Sequence, residues 1–416
     1  MEPSPLVRLM VLYPPNSEIQ VLSCIASSSM VKIDNTVKTN RMVPRLLKSV
    51  AIYGANAAGK SNIIKAMFVM HKIVISDIQR DGVLYITPFL LGDDDNEPSR
   101  FEITFSIDNT MYQYGFSTTK EMIFEEWLLK NTRNKNKILF ERIYNKKKGD
   151  YVWSSEDKEC LEEIEDKKKF TRNNALFLSV SVLLNGKKFL DIYKYIKDNL
   201  KIANAKSKYS DGELFTLTKY KNDEYKDKIN KFLQVADLDI YDMTIKEKRI
   251  NTQKYKDEEH NTEIENNLIE LIARTNHFKQ DNKTIKSFPL ESESDGTQEF
   301  LKLIGPFIDA MENNYIVVID ELEAHLHPKI AQFIVDMFNS QEVKNESCAQ
   351  LIFTTHNTNL LNKNIFRKDQ IYFCEKQNKA TKLYSLFDFK TTNDNWELNY
   401  LLGRYGGIPN ITNFVY

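Results

Sequence analysis

Residues 54–61 carry the groups that bind a polyphosphate in many proteins. They read Gly-Ala-Asn-Ala-Ala-Gly-Lys-Ser and satisfy the pattern G-x-x-x-x-G-K-S. In such a loop the backbone amides cradle the phosphates, Lys60 neutralises the β- and γ-phosphates, and the Ser61 hydroxyl completes the coordination of a magnesium ion. The alternative interpretation is a glycine-rich turn with an exposed lysine.

The segments on either side of this loop favour the phosphate-binding interpretation. Residues 49–53, Ser-Val-Ala-Ile-Tyr, predict a short buried strand. After the loop, apolar residues recur at helical spacing, at Ile63, Ile64, Met67 and Phe68. The order strand, loop, helix is the structural context that the pattern requires.

Two carboxylates follow a second apolar strand much further along the chain. Residues 315–319, Tyr-Ile-Val-Val-Ile, lead directly into Asp320 and Glu321. Acidic side chains at the tip of a buried strand are too costly to be there for packing alone. Beside a magnesium nucleotide, Asp320 can hold the metal through water and Glu321 can polarise the attacking water. The alternative is a strand that simply ends in a polar turn.

The elements that must position these residues alternate between helix and strand. The pattern predicts a helix from Thr297, a strand at 315–319, a helix from Pro328 and a strand at 351–354. Strands that alternate with helices imply a mainly parallel sheet, whose functional edge lies at the carboxyl ends of the strands.

The middle of the chain follows other patterns. Between residues 100 and 153, apolar and polar residues alternate in runs separated by turn-rich segments, which predicts an antiparallel meander. Charged residues and intermittent helical faces then predict a helical insertion. We therefore predict three domains: a first nucleotide-binding lobe at 1–155, the insertion at 156–284 and a second lobe at 285–416.

Three motifs together resemble those of the ABC-type ATPases related to SMC proteins. They are the asparagine-containing loop at 54–62, the run Asp-Glu-Leu-Glu-Ala-His-Leu-His-Pro at 320–328, and Thr-Thr-His-Asn at 354–357. More closely, the sequence resembles the AAA-fifteen-type group, which includes the Rlo and Abi phage-defence ATPases and the ATPase half of the OLD proteins. The resemblance covers residues 40–130 and 285–416. It implies an α/β P-loop NTPase fold of the ABC/SMC head type, with an antiparallel β-subdomain and an inserted helical domain.

The resemblance also implies roles for single residues. ATP would bind the loop with Mg²⁺ held by Ser61 and Asp320, Glu321 would be the general base, and His356 would be the switch histidine that contacts the γ-phosphate. The segment around Ser294 resembles a degenerate ABC signature, which in the family contacts nucleotide bound to the opposite subunit, so hydrolysis would need a head-to-tail homodimer or a higher oligomer. The implied ATP ligands are Gly54, Asn56, Ala57, Ala58, Gly59, Lys60, Ser61, Asn62, Ser294 and Gly296.

The sequence departs from the family pattern at three places. No Q-loop glutamine is evident, because Thr-Pro-Phe at 87–89 stands where it is expected and Gln79 is a poor candidate. His327 occupies the position of the D-loop aspartate that is common in transporters. The N-terminal segment 10–15 lacks an Asn-Phe-x-Ser sequence, so adenine recognition stays unassigned.

Two further features have more than one interpretation. His325 and His327 have the spacing of metal ligands, but His327 can instead cap the helix that begins at Pro328. The basic run at 130–148 can contact nucleic acid, or it can form a solvated hairpin. We favour the cap and the hairpin.

Composition limits the class of protein. Hydrophobic residues make up 42% and charged residues 28%, and a net charge of -1 indicates a folded chain without an overall basic surface. The four cysteines include no CxxC pair and support neither a zinc knuckle nor a dense disulfide framework, which indicates a reducing compartment. No stretch approaches the about 20 apolar residues of a membrane span, and the first residues lack a signal-peptide pattern. We expect a cytoplasmic protein with no membrane partner.

The leading hypothesis is an ATP-driven sensor or scaffold in bacterial anti-phage defence, in an abortive-infection or toxin–antitoxin-like system, that controls a nuclease or toxin encoded nearby. An SMC-like DNA repair or recombination ATPase is the first alternative, and the lack of long coiled-coil arms counts only against its loop-tethering forms. A transporter ATPase subunit is the second, and it would normally show a glutamine Q-loop. A self-contained OLD-type nuclease is set aside, because few residues follow His356.

Overall fold

The computed structural model describes most of the chain. The described residues are 5–12, 19–38, 43–75, 84, 97–131, 135–203, 210–236, 238–251, 255–257, 262–264, 267–340, 347–377, 379–390 and 395–409. They divide into two compact units. The first unit comprises Met1–Lys206, Ala310–Glu323 and Ile334–Tyr416, and the second comprises Ser207–Asp309 and Ala324–Phe333.

The regular elements are numbered in chain order. The strands are β1 Leu6–Leu12, β2 Gln20–Ser23, β3 Thr36–Val37, β4 Leu46–Leu47, β5 Ser49–Gly54, β6 Ser99–Ile107, β7 Thr110–Thr118, β8 Ile123–Asn131, β9 Asn136–Asn145, β10 Asp150–Ser154, β11 Leu200–Ala203, β12 Asp242–Asn251, β13 Tyr255–Asp257, β14 Thr262–Ile264, β15 Asn267–Phe278, β16 Ile285–Pro289, β17 Ile316–Ile319, β18 Gln350–Thr354, β19 Ile371–Gln377 and β20 Ala380–Ser385. The α-helices are α1 Lys60–Ile75, α2 Lys158–Lys167, α3 Phe177–Leu183, α4 Leu190–Lys194, α5 Ser210–Tyr220, α6 Asp223–Val235, α7 Asp295–Asn313, α8 Pro328–Asn339 and α9 Trp396–Leu401. No helix among the described residues is long and apolar enough to cross a membrane.

A mainly parallel sheet in the first unit holds the predicted chemistry. Its strand order is β11-β17-β18-β5-β19-β20, and only the β19–β20 pair is antiparallel. Strands β5, β17 and β18 are buried along their whole length. Because neighbouring parallel strands end at the same edge, the loop after β5, the acids after β17 and the segment after β18 meet there. The predicted α/β architecture is confirmed.

The second sheet of this unit is the predicted antiparallel meander. Seven strands pair in the order β10-β9-β8-β7-β6-β1-β2. At its centre the Glu126 and Arg142 side chains, both completely buried, form an ion pair of 2.9 Å. The same carboxylate accepts hydrogen bonds from the amides of Phe177 (2.7 Å) and Leu178 (3.0 Å) at the start of α3 and from the Tyr114 hydroxyl (3.0 Å). This ion pair therefore joins the meander to α3.

The predicted insertion at 156–284 does not form one unit. Its first part, α2 to β11, belongs to the first unit, and its remainder belongs to the second. Leu200, which the sequence pattern puts on a helical face, begins β11 and pairs with Ile316 of β17. A π-helix at Tyr195–Asn199 precedes it. An apolar run this short fits a helix or a buried strand equally well, and pairing with a strand more than a hundred residues away decides the outcome.

The second unit contains a sheet as well as helices. Strands β12, β15 and β16 form an antiparallel sheet in which β12 and β15 pair over ten residues. The same unit contains helices α5, α6 and α7, and Gly305 of α7 lies so close to Thr216 of α5 that a Cβ would sit 2.4 Å from its hydroxyl oxygen. The second unit is therefore mixed α/β, whereas the sequence pattern predicts helices alone.

Candidate nucleotide-binding site

The loop between β5 and α1 adopts a backbone conformation that requires glycine at positions 54 and 59. Gly59 has φ 105°, and an added Cβ would lie 1.9 Å from the Thr381 hydroxyl oxygen. A Cβ on Gly54, at φ 155°, would lie 2.5 Å from the carbonyl oxygen of Cys374. Ala57 is also left-handed, at φ 61°. The loop is thus held tightly against β19 and β20, in a conformation that a side chain at either glycine would disrupt.

Lys60 is buried under this loop. Lys60 is 6% exposed, and its Nζ donates to the carbonyl oxygens of Gly54 (2.8 Å) and Ala55 (3.1 Å). Burial lowers the pKa of Lys60, whereas nearby carboxylates, among them Asp320, raise it. A buried ammonium that donates to the neutral carbonyls of Gly54 and Ala55 is suited to an anionic ligand.

Most of the other residues of the loop and of the first turn of α1 are exposed. Asn56, Ala57, Ser61 and Asn62 are exposed, whereas Ala58 is buried and donates its amide to Ala55 (3.2 Å). The loop leads into α1, where the amides of Asn62 and Ile63 donate to the carbonyl oxygen of Gly59 (3.0 and 3.3 Å) and where the helix dipole favours an anion. The exposed side chains and the positive end of this dipole therefore lie where a phosphate can reach them.

Thr354, at the end of β18, holds the two predicted acidic residues in position by hydrogen bonds. Its buried Oγ1 donates to Asp320 Oδ1 (2.5 Å) and accepts the amide of Glu321 (2.7 Å). Asp320 is 7% exposed, and Glu321 is exposed with a left-handed φ of 54°. A strained backbone at an exposed acid is typical of functional sites. The sequence gives no sign that Thr354 has this role.

His356 follows two residues after Thr354 and is exposed. Burial of its ring and the charge of Lys60 lower the pKa of His356, although Glu323, Glu321 and Asp320 oppose this. At neutral pH its imidazole is therefore uncharged and can donate or accept a hydrogen bond. Its backbone N–H donates to Glu323 Oε1, a carboxylate that sequence analysis overlooks.

A magnesium ion fits the donors that lie here. Mg²⁺ prefers oxygen ligands and is usually held by one or two carboxylates together with substrate phosphates. Ser61 offers an exposed hydroxyl, and Asp320 offers a carboxylate whose Oδ1 is already hydrogen-bonded. Within the described ranges no group of three or more His, Cys, Asp or Glu side chains could hold a metal by itself. A metal here would accordingly be shared between protein and phosphate.

A cavity lies beside α1, among residues that the sequence does not single out. Its walls are mostly aliphatic, with polar groups from Gln20, Asn62 and Thr381. The apolar lining comes from β1, β2, α1 and β20, through Leu9, Val11, Leu22, Ile63, Ala66 and Leu383. The first turn of α1 thus has the phosphate-binding loop on one side and an apolar cavity on the other.

The second unit contains the two predicted signature residues. Ser294 Oγ accepts the amide of Thr297 (3.2 Å) and so caps α7, which begins at Asp295. A Cβ on Gly296 would lie 2.8 Å from the carbonyl oxygen of His325, which explains a glycine at this position. The structure therefore places Ser294 and Gly296 in a different unit from the loop, Asp320, Glu321 and His356.

Other sequence interpretations have separate outcomes. His327 Nδ1 accepts the amide of Lys329 (3.3 Å), so this histidine caps α8 as expected. In the basic run, Lys135 pairs with Glu156 (3.0 Å) and Lys137 with Asp157 (2.5 Å), which removes part of its positive charge. Gln79 and residues 10–15 and 87–89 fall wholly or partly outside the described residues.

A G-x-x-x-x-G-K-S loop between a buried parallel strand and a helix, with an acidic pair at the end of a nearby strand, defines a P-loop nucleotide-binding protein. More specifically, the chain belongs to the family described as "AAA domain, putative AbiEii toxin, Type IV TA system", whose model matches residues 49–362. This match confirms the relationship to Abi-type ATPases that the three motifs predict.

Two solved structures are similar over most of the chain. The SMC head domain from Thermotoga maritima has 13% identity and a TM-score of 0.40, and the similarity covers 92% of this chain and 99% of that one. The crystal structure of an SmcHead bound to the C-winged helix domain of ScpA has 14% identity and a TM-score of 0.39, covering 91% and 97%. A comparison with curated proteins found no match.

Proposed function

We propose that this protein binds ATP with Mg²⁺ at the loop 54–61 and hydrolyses it. The observation that carries the proposal is the meeting of this loop, Asp320 with Glu321, and His356 at the ends of three adjacent strands, β5, β17 and β18. Each group has a part in phosphoryl transfer to water.

The roles follow from the position of each group. Lys60 and the loop amides bind the phosphates, and Ser61 and Asp320 would hold Mg²⁺, which neutralises charge on the β- and γ-phosphates. Glu321 is the residue that takes the proton of the attacking water. His356, neutral because of its lowered pKa, would hydrogen-bond the γ-phosphate.

Two variants test binding and chemistry separately. Lys60→Ala should abolish tight ATP binding in calorimetry, because it removes a buried cation that faces the phosphates. Lys65→Ala, an exposed lysine on the same helix, is the matched control and should bind normally. Glu321→Gln should keep ATP affinity but hydrolyse about 10² to 10⁴ times more slowly. Normal affinity of Lys60→Ala would refute the site, and parental hydrolysis by Glu321→Gln would mean that another residue is the base.

We further propose that two subunits share each hydrolytic site. The support is that Ser294 caps α7 and Gly296 lies in its first turn, in a unit separate from the loop, and that helix N-termini bind phosphate well. A Gly296→Asp subunit should bind ATP without hydrolysing it. Mixing Gly296→Asp with Lys60→Ala subunits should restore one intact site per dimer, whereas each variant alone has none. Absence of restored activity in the mixture would contradict the shared site.

The biological role that we propose is a cytoplasmic ATPase in anti-phage defence that controls a nuclease or toxin encoded in trans. The family description names the AbiEii toxin and type IV toxin–antitoxin systems, which supports a role in such systems. The test is a phage panel applied to cells with the full locus, with Lys60→Ala, and with each neighbouring gene deleted. Protection by this gene alone would refute the proposal that a separate effector is needed. No protection at all would favour the alternative of DNA repair or recombination.

A further inference from the structure

Glu323 lies between the proposed catalytic base and the switch histidine. It belongs to a hydrogen-bonded network formed by residues 320–323 and 354–356. Besides the two bonds of the Thr354 hydroxyl, it contains a bond from the Leu322 amide to the Thr354 carbonyl oxygen (3.1 Å). The fourth bond runs from the His356 amide to Glu323 Oε1 and is the only one of the four that reaches His356 itself.

The second oxygen of Glu323 distinguishes it from an ordinary capping residue. Glu323 Oε2 is buried and has no hydrogen-bond partner among the described residues, and the same holds for Nδ2 of Asn357, the residue after His356. A buried polar atom without a hydrogen-bond partner destabilises the folded state. Such costs are concentrated at functional sites, where they are retained because the group acts on something else.

The negative charge of Glu323 also acts on two groups of the proposed site. Its carboxylate interacts electrostatically with Lys60 and with the His356 ring. A hydrogen bond to a carboxylate is about twice as strong as one between neutral groups, so it fixes a backbone amide more firmly. A glutamate is therefore a better anchor for His356 than a neutral side chain.

We propose that Glu323 is a positioning residue for ATP hydrolysis, which holds His356 in a fixed place relative to Glu321 through the His356 amide. The proposal rests on the proposed function. It assigns to the third acid of the Asp-Glu-Leu-Glu sequence, Glu323, a role in chemistry and not in nucleotide binding. Loss of Glu323 should accordingly lower the rate of the chemical step and leave ATP affinity nearly unchanged.

The experiment compares three variants of the full chain. Glu323→Ala should slow single-turnover hydrolysis about 10- to 100-fold, the effect of losing one charge-assisted bond. Glu323→Gln keeps an acceptor and should lose less than about tenfold. Glu162→Ala, an exposed glutamate in α2, is the control and should match the parent. ATP affinity, measured by calorimetry, should stay within about threefold in all of them, since each leaves the loop intact.

A second readout separates positioning from a general loss of structure. The His356 ring can be followed by NMR in protein with labelled histidine, with a His356→Ala sample to identify its signal. The charged groups that act on this ring are Lys60, Glu323, Glu321 and Asp320. Because the Glu323 charge raises the pKa of His356, Glu323→Gln should shift its titration to lower pH, whereas Glu162→Ala should not.

The possible outcomes distinguish failure of the positioning role from failure of the proposed function. If the parent hydrolyses ATP and Glu323→Ala hydrolyses it equally fast, the positioning role is wrong and the proposed function stands. If Glu323→Ala loses ATP binding in parallel with hydrolysis, the residue supports the site as a whole and the inference is also overturned. An unchanged His356 titration in Glu323→Gln likewise contradicts it. If the folded parent does not hydrolyse ATP, the proposed function itself fails.

Discussion

Thr354→Val is the substitution that most directly probes how the site is held together. Valine has nearly the shape of threonine but lacks the hydroxyl, which here bonds both Asp320 Oδ1 (2.5 Å) and the Glu321 amide (2.7 Å). Thr354 is completely buried, so water cannot replace its hydroxyl at that position. The variant therefore leaves a buried carboxylate oxygen and a backbone amide without their partner.

The structure sets the size of the effect. Each polar group left unsatisfied in the interior costs about 1–3 kcal/mol, and the Glu321 end, being next to solvent, should lie near the lower limit. We expect a loss of about 2–4 kcal/mol in the free energy of unfolding. Urea unfolding followed by tryptophan fluorescence reports this unit, because all three tryptophans, Trp127, Trp153 and Trp396, belong to it.

Hydrolysis should fall together with stability. Without the bond to Thr354, the left-handed backbone of Glu321 is no longer held, and we expect single-turnover hydrolysis to slow about 10- to 100-fold, the effect of misplacing a catalytic group. Thr354→Ser is the matched control, since it keeps the hydroxyl and loses one methyl group, worth about 1 kcal/mol. If serine and valine variants lose the same stability and activity, the hydroxyl network does not position the acids.

Three further outcomes are expected. Glu126→Ala should cost about 3–5 kcal/mol in urea unfolding because it leaves Arg142 buried and unpaired; Glu125→Ala, which breaks only a partly exposed pair with Arg100, should cost less than about 1 kcal/mol, and equal losses would contradict this. Gly59→Ala should give a folded protein with much weaker ATP binding in calorimetry, because the left-handed loop and Thr381 leave no room for a Cβ, and parental affinity would refute the loop geometry. All four cysteines are buried thiols, so a thiol reagent should label them quickly only after denaturation; rapid labelling of the native protein would contradict their burial. Burial raises the pKa of three of these thiols to about 12, those of Cys24, Cys160 and Cys374.

The parts of the fold that sequence predicts well are those with strong local signals. The strand at Ser49–Gly54 is a continuous apolar run that ends in a glycine-rich loop, and α1 shows clear helical spacing. The meander from β6 to β10 is recognisable because alternation with a period of two is hard to produce by a helix. These signals also locate Lys60, Asp320 and Glu321 at strand ends.

The remainder depends on contacts between distant segments. Strand β12 carries many charged residues and resembles a solvated helix in composition, yet it pairs with β15 over ten residues. The contact from Glu323 to His356 crosses 33 residues of chain, and so does the one from Thr354 to Glu321. Such contacts follow from the pairing of β17 with β18, which no local pattern specifies.

The charges at the site explain why a nucleotide should enter it together with a divalent cation. One buried lysine, Lys60, interacts with the three acidic side chains of Asp320, Glu321 and Glu323, so acidic groups outnumber the lysine here. A polyphosphate adds more charge of the same sign, and like charges at short range repel by several kcal/mol where water is partly excluded. Neither Lys60 nor the dipole of α1 can offset this, since the dipole is equivalent to only about half a charge. In the proposed function, the oxygen atoms of Ser61 and Asp320 would hold a magnesium ion that restores the balance, which would make the acids compatible with a bound phosphate.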